Sequence, residues 1–188
     1  MDLQLKGKVV LITGGAKGIG AAIVRECARE GATPVIADKD GSAAAQLQHE
    51  LKAGPLPCEF VQTELTDEKA CRAAVEFTLQ KFNRLDGLVN NAGINDGIGL
   101  ADGSPEKFLA SLGRNLLHIY NITHYAVASL KRSRGSIVNI SSKTAVTGRA
   151  APPATSQRKP PSSALPANGP SNSFPTAFAL TRSFPLKS

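Results

Sequence analysis

Val9-Val10-Leu11-Ile12-Thr13 leads without interruption into Gly14-Gly15-Ala16-Lys17-Gly18-Ile19-Gly20, and a helical pattern follows. An apolar run with no polar alternation suits a strand covered on both faces, which happens when helices lie above and below a parallel sheet. The glycines behind it turn the chain sharply from strand into helix. A chain that starts this way is committed to βα units, and all-helical or antiparallel architectures are excluded for this part.

The rest of the first 148 residues keeps to that rhythm. A helix is predicted from Gly18 to Glu30, ended by Gly31, and a second strand over Thr33 to Ala37. An alanine-rich helix from Ser42 to Lys52 and a third strand from Cys58 to Gln62 come next. Thr66-Asp67 opens a helix whose apolar face is Cys71, Ala74, Val75, Thr78, Leu79 and Phe82, at helical spacing. Leu85 to Asn90 reads as strand four. Ser104-Pro105-Glu106, a cap followed by a first-turn proline, starts a long helix to about Leu130, and Ser136 to Ile140 is strand five. The expected fold is α/β, a Rossmann-type doubly wound parallel sheet, incomplete after the fifth strand.

The glycine loop carries the chemistry. Gly14 permits the tight turn, Gly18 lets backbone amides approach a pyrophosphate, and Gly20 packs helix against strand. The helix N-terminus then offers partial positive charge to the same phosphates. Asp38, at the end of strand two, is placed to accept hydrogen bonds from adenosine ribose hydroxyls and to repel a 2′-phosphate, which favours NAD. Lys17 and Lys39 argue for NADP, because either can pair with that phosphate.

The net charge of +7 would suggest a nucleic-acid partner, but its distribution removes the suggestion. Residues 1–148 hold 17 Lys/Arg and all 15 Asp/Glu, whereas residues 149–188 hold five basic residues and no acid. The latter stretch also has eight of the twelve prolines, which forbid a long helix or central strand there. The chain divides near Gly148 into a dinucleotide-binding body, 1–148, and a basic Pro/Ser-rich tail, 149–188, expected to be disordered. The body has no basic stripe with interleaved aromatics, so no nucleic-acid partner is expected. No apolar run approaches the roughly 20 residues that span a bilayer, and the N-terminus has no signal-peptide pattern. Cys27, Cys58 and Cys71 follow no metal or redox spacing, and three reduced thiols in a cytoplasmic protein are expected.

Taken together, these motifs resemble the short-chain dehydrogenase/reductase superfamily. Thr13-Gly14-x-x-x-Gly18-Ile19-Gly20 has that family's glycine spacing, and Asn90-Asn91-Ala92-Gly93 matches its N-N-A-G motif. Glu64-Leu65 falls where its adenine-contacting acidic pair lies, Asn115 matches the asparagine of its long helix, and Ser136 to Ser142 matches its fifth-strand motif. Within the family, Asn90 to Leu100 and Asn139 to Gly148 look most like the L-fucose dehydrogenases. The resemblance implies hydride transfer between a sugar or polyol alcohol and a nicotinamide. In that mechanism Ser142, or alternatively Ser141, binds the substrate oxygen, Asn115 bends its helix to hold a relay water, and Lys17, Ile19, Asn91, Ala92 and Gly93 help line the cofactor site. It also implies homo-oligomeric full-length relatives.

The family's general base is a tyrosine, assisted by a lysine at the following turn. Tyr120 and Tyr125 both precede strand five, and Thr155 stands at the tyrosine position. Lys159 matches the lysine by position only, without a helix to aim it. A threonine hydroxyl is far less acidic than a phenol and cannot replace it near neutral pH. The genetic code offers an account. If one base were lost near codon 149, the original frame across Ala154–Thr155 permits Tyr and across Arg158–Lys159 permits Lys. The whole stretch from Arg149 then permits Q-G-G-T-S-G-Y-V-A-T-K. A frameshifted tail is therefore expected, leaving strand five as an exposed edge, stability marginal and dehydrogenase activity impaired or absent. The competing expectation is a non-catalytic NAD(P)-binding module.

Overall fold

The structure is a computed structural model, and it describes residues 3–52, 57–98 and 103–141. Five strands, β1 (Val9–Thr13), β2 (Thr33–Asp38), β3 (Glu59–Gln62), β4 (Gly87–Asn90) and β5 (Ser136–Asn139), form one sheet in the order β3-β2-β1-β4-β5. Every pairing is parallel. Between the strands run α1 (Gly18–Arg29), α2 (Gly41–Lys52), α3 (Glu68–Phe82), and a long helix of two parts, α4 (Pro105–Leu112) and α5 (His118–Ser133). The doubly wound α/β expectation holds.

The apolar run of β1, Val9–Ile12, explains itself in the packing. Val10 and Ile12 face one layer, built on α1 and α2, while Val9 and Leu11 face the other, built on α3 and α5. All five residues of β1 are buried. In α3 the predicted face is found: Cys71, Ala74, Val75 and Thr78 are buried, and Asp67 caps the helix by accepting from the Lys69 amide. Ser104 likewise caps α4, with Pro105 in the first turn.

Two expectations need correction. Leu85 and Asp86 precede β4 and do not begin it. Asp86 is buried instead as a tie between strands: it accepts from the Val9 amide at 3.0 Å and from the Arg84 guanidinium in two bonds of 2.7 Å. Burial alone would raise its carboxyl, but the Arg84 fork, the Val9 amide and the charges of Arg84 and Lys8 outweigh that and hold it below the usual range. The long helix is also not continuous, because a π turn, Gly113–Leu117, separates α4 from α5. Among the described residues β5 is the sheet margin on its side, and Val138 is 45% exposed there.

Candidate functional site

In an open parallel sheet, loops leave the C-terminal strand ends, and a crevice opens where neighbouring connections run in opposite directions. In this sheet that place is the C-terminal edge of β1 and β4, and most of the predicted cofactor residues gather around it.

Thr13 is the hub. Its hydroxyl oxygen accepts from the amides of Asn91 at 3.0 Å and Ala92 at 3.1 Å. Asn91 answers by donating its side-chain amide to the carbonyls of Thr13 and Gly14, each at 3.0 Å. The loops after β1 and β4 are thereby stapled to each other. Gly14 sits at φ +62 against Ala92, and a Cβ there would come within 2.9 Å of the Ala92 Cα. Gly20 packs on the carbonyl of Gly14 so closely that a Cβ would stand 2.1 Å from it. Gly18 differs: at φ +54, a Cβ would meet nothing within 4 Å. It faces open space in front of α1, whose N-cap, Lys17, places no side chain over the first-turn amides. Ile19 is 65% exposed beside them. A left-handed glycine bordering free volume at uncapped helical amides fits a pyrophosphate.

Asp38 lies where β2 ends, and both its oxygens are used: Oδ2 accepts from the Ala16 amide and Oδ1 from the Asp40 amide, each at 3.0 Å. This ties the glycine loop to the end of β2 and leaves the remaining carboxylate lone pairs for a ribose. Lys17, exposed, makes an ion pair with Asp40. The hydrogen bond and charge of Asp40 raise the Lys17 ammonium. The Ala43 amide, followed by Lys17, lowers the Asp40 carboxyl. Glu64 is turned back on its own loop, accepting from the Thr66 hydroxyl at 2.9 Å, and Leu65 packs against the α3/α5 side of the core.

Asn115 lies in the π turn and is buried. Its Oδ1 accepts from the Ile94 amide at 2.7 Å, and Gly93 is close enough that a Cβ would approach that oxygen to 3.4 Å. The helix at this asparagine carries a π turn, one residue more than the α-helical count. Behind it stands a network that sequence reasoning missed. The Asn115 amide reaches the Ser111 hydroxyl at 3.4 Å, and Asp96 accepts from Ser111 and from Arg114, the latter at 3.0 Å. Burial pushes the Asp96 carboxyl up, but those two donors prevail and hold it low. The network pins the loop Ile94–Ile98 to the helix.

His118 was also missed. It is buried at 1% exposure, and its ring nitrogens make no hydrogen bond of ordinary geometry. Burial pushes its imidazole below the ordinary value, against a weaker opposite pull from the carbonyls of Ala92 and Arg114. Asn90 donates to the Asn139 side chain at 2.8 Å, joining β4 to β5 just before the serine pair. Ser141 is exposed; Ser142, Thr155, Lys159, Gly99, Leu100 and the whole tail 149–188 lie outside the described residues. Among the described residues no group of His, Cys, Asp and Glu could hold a metal, and no helix is long and apolar enough to cross a membrane.

Residues 8–156 match the family model described as short chain dehydrogenase. Bovine (Bos taurus) L-fucose dehydrogenase is 38% identical over 150 residues, covering 79% of this chain and 54% of the relative. Among solved structures, Cj0485 dehydrogenase superposes with a TM-score of 0.72 at 36% identity, covering 79% of this chain and 56% of the other. The NADH-dependent reductase A1-R′, described as responsible for alginate metabolism, gives 0.73 at 27%, covering 78% and 63%. The chain spans about half the length of the curated relatives it matches.

Proposed function

Because this chain belongs to the short chain dehydrogenase family, we propose that its body binds NAD, at a site built for hydride exchange with a sugar or polyol alcohol, L-fucose-like in kind. The observation that carries the reading is the stapled crevice, where Thr13 and Asn91 hold the two loops together beneath Gly18 and the uncapped start of α1. A nicotinamide cofactor, when bound, supplies the hydride acceptor or donor. The chain's own part is placement: α1 amides on the pyrophosphate, Asp38 on the adenosine ribose, the Asn91–Gly93 backbone along the crevice. Asn115 fixes the loop that leads toward the substrate side by holding the Ile94 amide. Glu64 and Leu65 border the adenine end. The L-fucose dehydrogenases among the relatives support a hydroxylated sugar as substrate class.

The chain as written binds without turning over. With Thr155 at the tyrosine position, no phenol follows Ser142, and Lys159 has no phenolate to stabilise. The frameshift account of residues 149–188 goes with this reading. NADH binding to the full chain is measured by fluorescence titration, beside L-fucose-dependent NAD reduction. Binding without reduction is the expected pair of results, robust reduction refutes the inactivity, and absence of binding refutes the cofactor assignment. Sequencing the coding DNA across Gly148 tests the tail; a gene with no alternative frame spelling the tyrosine-bearing helix refutes the frameshift.

A further inference from the structure

The second acid of the turn after β2, Asp40, has two partners of different kinds. Its Oδ1 accepts from the Ala43 amide at 3.0 Å, capping α2, and its other oxygen takes the ammonium of Lys17. Lys17 is the residue between the glycines of the phosphate loop, and it is the cation placed to meet a 2′-phosphate there. Asp38, at the ribose position, adds its own charge to the field on Lys17. The turn therefore presents two carboxylates, while the nearest loop cation is already engaged.

We propose that Asp40 is a specificity-determining residue that excludes NADP by holding Lys17 away from the 2′-phosphate position and adding a second negative charge beside it. The proposal rests on the nicotinamide-binding reading above and deepens it. Asp38 alone discriminates through one carboxylate, which a lysine two residues from Gly15 could offset; Asp40 cancels that offset. Lys39, exposed on the same turn, is the competing cation, and the experiment separates the two.

Asp40→Asn is the informative change, because asparagine caps a helix about as well as aspartate and keeps an acceptor for the Ala43 amide while losing the charge. Dissociation constants for NADH and NADPH are measured on the full chain by fluorescence titration. Each variant is checked by circular dichroism, with Asp40→Ser as a second capping substitution should the first fail to fold. The expected result is a gain of about tenfold in NADPH affinity, the scale of freeing one exposed ion pair and removing one like charge. NADH affinity should change by less than about twofold, and in Asp40→Asn/Lys17→Met the gain should shrink to the smaller part that loss of the like charge alone gives. An unchanged ratio of the two affinities in both capping variants overturns the proposal. A gain that survives undiminished in Lys17→Met overturns the role of Lys17, and one that then disappears with Lys39→Met transfers it to Lys39. If the unaltered chain binds neither nucleotide, the underlying cofactor reading fails first, a result distinct from an unchanged ratio.

Discussion

Gly20→Ala tests the stapled crevice most directly. Alanine is the better helix former by about 1 kcal/mol, so on propensity alone the change should stabilise α1. The packing says otherwise. The new Cβ would stand 2.1 Å from the Gly14 carbonyl oxygen and 2.6 Å from the Asn91 side-chain nitrogen, whereas real Cβ atoms essentially never approach below 3.0 Å. Helix and loop must therefore part by about 0.9 Å along that contact. The obstructing atoms are a backbone carbonyl and a side-chain amide already bonded to it, so neither can swing aside cheaply. Overpacking of this kind costs about 1–3 kcal/mol. Stretching the Asn91 bonds to Thr13 and Gly14 adds about 1 kcal/mol each. After the propensity gain, a net loss of about 2–4 kcal/mol is expected, a fall of roughly 1–2 M in the urea midpoint. Gly18→Ala is the internal control: it meets no neighbour and carries only the left-handed strain of about 1–2 kcal/mol. Urea melts of both, followed by far-ultraviolet circular dichroism, decide the matter. If Gly20→Ala is as stable as the unaltered chain, or less damaging than Gly18→Ala, the packing argument is wrong.

Further expectations come from the buried titratable groups. His118 is kept neutral in the folded state with its pKa lowered, so the unfolded chain takes up a proton first as pH falls. Its contribution is present above the ordinary histidine value and is lost below about pH 6.5, at up to about 1.4 kcal/mol per pH unit. His118→Gln should flatten that part of a stability–pH curve measured by urea melts, and an unchanged slope would contradict the assignment. Burial pushes the Cys58 thiol up to about 12 and Cys71 to about 11. Iodoacetamide at pH 8 should spare them in the native chain and label them in guanidinium, as peptide mass mapping can read; rapid native labelling counts against their burial. Asp86→Ala removes a carboxylate from the Val9 amide and the Arg84 fork and should cost about 3 kcal/mol in a urea melt, whereas a loss below about 1 kcal/mol would mean the tie is solvated.

How much of this was readable beforehand depends on the range of the force involved. β1 was legible to the residue because both its faces are buried and its run is uninterrupted. The glycine loop was legible because each glycine answers a local steric demand. Asp86 was misplaced into a strand because two of its partners, Val9 and Lys8, lie far away in the chain, and none of its bonds, the Arg84 fork included, leaves a periodic trace. The π turn escaped for a different reason: an apolar stripe of period near 3.6 continues on either side of a single additional residue, so hydrophobic spacing does not register it. The pairing of Lys17 with Asp40 and the network of Asp96, Ser111 and Arg114 are tertiary, and each member alone looks like an ordinary surface charge or hydroxyl.

The π turn also makes the helix separable into two functions. It carries one residue more than its α-helical complement, and the flanking turns accommodate it. Deleting Gly113 would let α4 and α5 run on as one regular helix, with Ile122, Ala126 and Leu130 still seated in the core. Asn115 would meanwhile rotate by about 100°, the turn per residue of an α-helix, away from the Ile94 amide. At this point on the chain, loss of one residue would separate foldedness from site geometry.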